Sequence, residues 1–314
     1  MNEGHSAPHI HHPLPDGAGI RGYPLHFQRV GWTVAVLTIL FALPLIDLAR
    51  LAFNSDLYSH IPLIPAACVY LAWIQRHQLP PPGPPDRLVS GLCILMCLPL
   101  LAIYFLGGSG SLSVPHVDKV AAVSAAYVLL VGASAAWFFG GRLTRMLAFP
   151  LSALMFMVPM PTMLVVWTET LLQHGSAVAA HGLFHLSGMP VFRDGTLFML
   201  PGFSMEVAPE CSGIRSTLAL FITSTFAAYL FLRRPWSRLA LTLAVIPLAL
   251  ARNGLRVWTI GTLCVEVGPE MIDSFVHHKG GPIFFGLSLI PFSALLWVFV
   301  RWEKRQALSL SRAS

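Results

Sequence analysis

Apolar and polar positions alternate in blocks along this chain rather than residue by residue. Apolar windows fall at 30–49, 57–74, 88–106, 120–139, 146–160, 212–232, 239–257 and 282–300, most of them close to the ~20 residues that carry a helix across a bilayer. The pattern predicts an all-α polytopic membrane protein with about eight transmembrane helices. The second and fifth windows are short and contain Pro62, Pro65 and Pro150, so their ends are the least defined. Gln78 to Asp86 holds five prolines and reads as a stiff spacer. Gly107 to Ser113 reads as a flexible loop. Thr162 to Ser187 mixes apolar and polar residues at helical spacing, which predicts a small extracytoplasmic amphipathic helix. Val191 to Val207 contains a Phe-Arg-Asp-Gly-Thr turn and a short alternating run, which predicts a hairpin leading toward Cys211.

Composition agrees with this outline. Of 314 residues, 55% are hydrophobic and 11% charged, against about a quarter charged in a soluble domain. The net charge of +6 could signal a nucleic-acid partner, but the basic residues lie in small groups between apolar blocks, with no basic face. They read as topology signals. With a cytoplasmic N-terminus, 13 of the 20 Lys and Arg residues fall on the inner side. Arg50, Lys119, Arg193, Arg215, Arg252, Arg256 and Lys279 are left opposite. The positive-inside rule therefore places both termini in the cytoplasm. Residues 1–29, with His5, His9, His11 and His12, read as a disordered cytoplasmic tail lacking the apolar core of a signal peptide. Residues 30–300 read as one membrane-embedded domain without internal repeats, and 301–314 as a basic tail. Five cysteines, at 68, 93, 97, 211 and 264, are an odd set that argues against a disulfide framework.

Chemistry concentrates where charges are otherwise scarce. Glu206 to Arg215 packs three charges and a thiol just before an apolar window. A cysteine at the first turn of a helix meets unpaired N–H groups and a dipole that favour the thiolate; the plainer reading is a small buried hydrophobe. The chain runs inward from Ser212, turns at Arg233–Pro235 and returns. At ~1.5 Å per residue the climb from Leu239 to Arg256 is about 26 Å, which brings Arg256 back to the level of Cys211. The loop that follows ends in His277, His278 and Lys279 on that same side. A thiol, a guanidinium and an imidazole are the groups that peptide acyl transfer needs, as nucleophile, oxyanion partner and proton carrier. Each has a plain alternative: Arg256 as a snorkelling charge, His277 as a loop histidine bonded to backbone.

These segments carry a resemblance. Pro-Glu-Cys-Ser-Gly-Ile-Arg-Ser at 209–216, Ala-Arg-Asn-Gly-Leu-Arg-Val at 251–257 and Phe-Val-His at 275–277 resemble, in order and spacing, signature segments of the exosortase and archaeosortase family. Phe-Met-Val-Pro-Met-Pro at 156–161 and Tyr58-Ser59-His60 are similar to secondary features of it. The resemblance implies a membrane cysteine protease or transpeptidase with Cys211 as nucleophile, Arg256 as essential arginine and His277 as proton-transfer residue. Glu210, Arg252, Asn253 and His278 are possible auxiliaries. It further implies substrates anchored by a C-terminal sorting signal, such as Pro-Glu-Pro followed by one span and a basic cluster. Cleavage would occur at the periplasmic face of a bacterial inner membrane, and no cofactor is implied. His278 and Lys279 follow His277 where many members have an acidic or aromatic residue, so the choice between the two imidazoles stays open.

Two other classes compete. His181 and His185 share a helix face, with Glu169 as a conceivable third ligand of a metal-dependent hydrolase, although Gly182 stands where the zinc-protease motif has Glu. Spans broken at Pro44, Pro99, Pro150 and Pro247 suit a transporter, but the charges gather at one surface rather than at the midplane.

Overall fold

The computed structural model describes residues 18–107, 113–268, 270–271 and 280–313. Eleven α-helices and one small sheet are found among them. Five helical stretches are long and apolar enough to cross a membrane: Arg87–Leu106, His116–Met146, Ile214–Phe231, Pro235–Glu266 and Gly281–Ser309. Two further helix pairs, Leu25–Leu40 with Ala42–Asn54 and Ala148–Met157 with Thr162–Leu186, are bent by 77° and 89°, and the number is up to seven if each pair is counted as one broken span. The polytopic all-α architecture holds, while an eighth span is not found among the described residues. Within the 57–74 window, turns occupy residues 56–62 and helix α3 covers only Leu63–Ile74. Its 12 residues rise about 18 Å, short of the ~30 Å hydrocarbon core.

The chain divides into two compact units, Met1–Arg50 with Ile61–Pro159, and Leu51–His60 with Met160–Ser314. The first contains α1 (Ala18–Leu40), most of α2 (Ala42–Asn54), α3, α4 (Arg87–Leu106), α5 (His116–Met146) and α6 (Ala148–Ala153). Helix α1 begins at Ala18, so residues 18–29 are helical where the sequence suggested a disordered tail. Residues 1–17 and 108–112 of the expected tail and loop lie outside the described residues. The apolar window of α5 is 72% buried against 11% for α4, which makes α5 the enclosed helix of the unit. Its Ala and Ser residues from Ala121 to Ala136 let neighbouring backbones approach closely, as small residues do between helices in lipid. The proline spacer lies along α5: Gly83 N–H donates to Phe139 O and Asp86 N–H to Ala136 O, each at 3.0 Å. Gly140 has φ 75°, and a Cβ there would stand 2.5 Å from Pro84 O. Asp86 then caps α4 by accepting from Val89 N–H at 3.1 Å.

The second unit holds α7 (Thr162–Leu186), strands β1 (Phe192–Asp194), β2 (Leu197–Leu200) and β3 (Phe203–Glu206), then α8 (Ile214–Phe231), α9 (Pro235–Leu243), α10 (Val245–Glu266) and α11 (Gly281–Ala313). Helix α11 continues through 301–313, so the basic tail is the end of a helix. The expected hairpin gains a third strand, giving an antiparallel sheet in the order β1-β2-β3. Arg193 faces Phe198, and Phe198 faces Met205. Phe198, Leu200, Met205 and Val207 pack with Ala177, Ala180 and Phe184 of α7 and with Val257, Ile260 and Cys264 of α10. The helix expected over 162–187 is α7, and it packs within this unit along α10. The seam depends on glycine. A Cβ at Gly254 would lie 2.6 Å from Ala179 Cβ and 3.0 Å from Ala180 N, and one at Gly261 2.6 Å from the Phe184 ring.

Candidate active site

The segment entering α8 is a tight double turn. Pro209 to Cys211 forms one turn of 3-10 helix, in which Cys211 N–H donates to Ala208 O at 2.9 Å. Gly213 follows at φ 77°, the left-handed conformation that favours glycine, and α8 starts at Ile214. Cys211 thus precedes the first turn of α8 instead of sitting inside it, in a turn of its own.

Two adjacent residues of α10 hold this turn. Asn253 Nδ2 donates to Cys211 O at 2.7 Å. Arg252 Nη2 donates to Gly213 O and to Thr217 Oγ1, each at 3.2 Å. Arg252 is 6% and Asn253 2% exposed, so these bonds are made away from water and are costly to remove. A side chain at Gly213 would collide with this clamp, since its Cβ would lie 3.0 Å from Arg252 Nη2 and 3.1 Å from Asn253 Oδ1. The two arginines of α10 therefore separate by position. Arg252 is enclosed against the backbone of the turn, whereas Arg256, one helical turn on, faces the open side.

That open side is a cleft of about 840 Å³. Cys211 and Arg256 both line it, together with Asp56, Ser59, Glu169, Arg215, Ser216 and, from the start of α11, Gly281, Pro282 and Phe285. Cys211 and Arg256 also line a second, small chamber of about 30 Å³ with Met205, Glu206, Val207, Val257 and Ile260, room for about one water. Arg215 is paired with Asp56, both well exposed, so the pair contributes little stability while engaging the charge of Arg215. Tyr58, 6% exposed, donates to Met160 O at 3.1 Å, which ties together the two secondary sequence segments at 58–60 and 156–161. Gln173 of α7 donates to Val207 O and fixes the chain ahead of the cysteine turn.

His277, His278 and the Glu210 side chain lie outside the described residues. The chain returns at Gly280, and Gly281 already lines the cleft. His181 and His185 do meet, Nε2 to Nε2 at 3.2 Å. Glu169 is twelve residues away on the same helix, a rise of about 18 Å, and it lines the cleft with Cys211 instead. Among the described residues no group of three or more His, Cys, Asp or Glu side chains could hold a metal ion. Gln173 and Asp56 carry no motif and were not foreseen as parts of this region; only their places in the fold reveal them.

The arrangement can support acyl transfer, with a half-buried thiol on a rigid turn and a guanidinium in the same cleft. Removing one hydrogen bond isolates the clamp. Asn253→Ala is expected to cost about 1–2 kcal/mol of stability and to slow turnover by more than its loss of folded protein explains. Comparing initial processing rates per folded molecule with thermal unfolding in detergent checks this.

Residues 52–294 match the family model described as transmembrane exosortase. Searches of curated proteins and of solved structures found no match.

Proposed function

The chain belongs to the transmembrane exosortase family, and on that premise we propose that it is a cysteine-type membrane transpeptidase or protease acting on exported proteins that carry a C-terminal sorting signal. One observation supports the reading above others: Cys211 and Arg256, 45 positions apart in sequence, line one cleft and one side chamber. The neighbours of Arg256 in the same helix grip the cysteine turn. In the proposed reaction the Cys211 thiolate attacks the scissile carbonyl, and a C–S bond forms. Arg256 faces the oxyanion. The C–N bond then breaks as His277 delivers a proton to the leaving amine, and an acyl thioester remains. An amine, hydroxyl or water resolves it and restores the thiol. Assigning His277 to this step rests on its place in the sequence, four residues before Gly281 of the cleft wall. His278 is the competing imidazole.

The sorting signal that fits this reading is a short motif such as Pro-Glu-Pro ahead of one span and a basic cluster. The cleft would open at the periplasmic side of the inner membrane with both termini in the cytoplasm, following the uneven distribution of Lys and Arg. Co-expression with proteins bearing a C-terminal span and basic tail, followed by mass spectrometry of their mature C-termini, tests the proposal. The intact chain is expected to yield a shortened or modified C-terminus. Cys211→Ala is expected to yield only the full-length form while inserting normally. Processing retained in Cys211→Ala would refute the assignment.

A further inference from the structure

Resolution of a thioester needs an acceptor, and the charges of the cleft bear on which kind. Four ionisable side chains line it besides Cys211: Asp56, Glu169, Arg215 and Arg256. Asp56 and Arg215 neutralise each other. Arg256 lines the smaller chamber with the thiol and the Glu206 carboxylate. Glu169 is left. It is half-buried on α7, one helical turn before Gln173, whose bond to Val207 O pins that stretch of α7 to the chain leading into Cys211. Among the described residues Glu169 makes no hydrogen bond or ion pair. A carboxylate held half out of water in a cleft, with no cation engaged to it among the described residues, favours a ligand that brings a positive charge and N–H donors.

We propose that Glu169 binds the ammonium group of the acceptor, so that the acyl group is passed to an amine in preference to water. The inference rests on the thioester reading of Cys211 and specifies its second half. The protons balance without a further reagent. The bound ammonium gives one proton to the Glu169 carboxylate and becomes a nucleophilic amine. The amine nitrogen attacks the thioester carbonyl, a C–N bond forms and the C–S bond breaks. The second proton of the nitrogen passes to the departing sulfur, leaving an amide, a neutral carboxyl and the thiol.

Binding can be read without turnover. The full-length protein in detergent is alkylated with iodoacetamide, and modification of Cys211 is followed by peptide mass spectrometry with increasing cadaverine, or with the uncharged pentanediol of the same length. Cadaverine is expected to slow Cys211 modification saturably, and pentanediol is not. Glu169→Gln should weaken the protection about tenfold in half-protecting concentration, with the protection of each variant taken relative to its own unprotected alkylation rate. Glu169→Asp, which keeps the charge on a shorter arm, should retain most of it. Equal protection by the diol, no protection by cadaverine, unchanged protection in Glu169→Gln, or equal loss in both variants would each overturn the proposal. Because this assay measures occupancy, it stands apart from the nucleophile question: processing retained by Cys211→Ala removes the thioester and leaves the amine-binding result intact.

Discussion

Arg256→Ala is expected to lower processing about 100-fold or more with little change in the folded population. Losing one donor aimed at a developing oxyanion costs about two to three orders of magnitude in rate. Arg256 is partly exposed at the cleft rather than part of the packed seam. Arg256→Lys keeps the charge but not the planar fork and should fall between the two. The same variants separate the two roles open to this guanidinium. If it favours the thiolate, Arg256→Ala slows Cys211 alkylation at neutral pH and moves its pH profile upward. If it serves only the oxyanion, the alkylation profile stays in place while processing falls. Arg252→Ala should behave differently. Its guanidinium is spent on Gly213 O and Thr217 Oγ1, so its loss should appear first as lower stability and a more mobile cysteine turn.

The second large effect concerns folding. Gly254→Leu is expected to prevent accumulation of folded protein, because the first added carbon already meets Ala179 Cβ at 2.6 Å and the Ala180 backbone nitrogen at 3.0 Å. Overpacking of an adaptable core costs about 1–3 kcal/mol; here one obstacle is backbone, which cannot rotate away. Parting α7 from α10 would also displace Asn253 and Arg252, so the site would be lost with the seam. Gly182→Leu is the control, since nothing lies within 4 Å of a Cβ at that position of α7. Recovery of monodisperse protein and its unfolding temperature in detergent should drop sharply for the first variant and hold for the second.

What could be read from the sequence follows from what each signal encodes. Long apolar runs are unambiguous, and α4, α5, α8, the joined α9 and α10, and α11 all fall where such runs lie. The 57–74 window misled because mean apolarity ignores the turns over 56–62 that leave α3 only 12 residues. Helix α7 lies where helical spacing put it, but its packing partner was not legible. Gly175, Ser176, Ala177 and Ala180 look indifferent on a hydropathy scale, yet small residues are what lets α7 approach α10 closely. Its polar Glu169 and Gln173 reach a cleft and a backbone carbonyl. Periodicity records which residues share a face, not whether that face meets water, lipid or another helix. In the cleft, Cys211 and Arg256 were legible as a pair because antiparallel crossings return the chain to one level. The clamp by Arg252 and Asn253 was legible only as proximity, since spacing does not state which atom a side chain bonds. Asp56 and Glu169 reach the cleft from distant parts of the chain, and no local pattern announces that.

The most direct measurement is a search for the covalent intermediate. Wild-type protein mixed with a processed substrate is denatured within the first turnover, digested, and the peptide containing Cys211 weighed before and after neutral hydroxylamine. The expected result is an added mass equal to the substrate's acyl fragment on Cys211, removed by hydroxylamine and absent in Cys211→Ala. Continued turnover with Cys211 bare at every time point, or the acyl fragment carried by another residue, would contradict it.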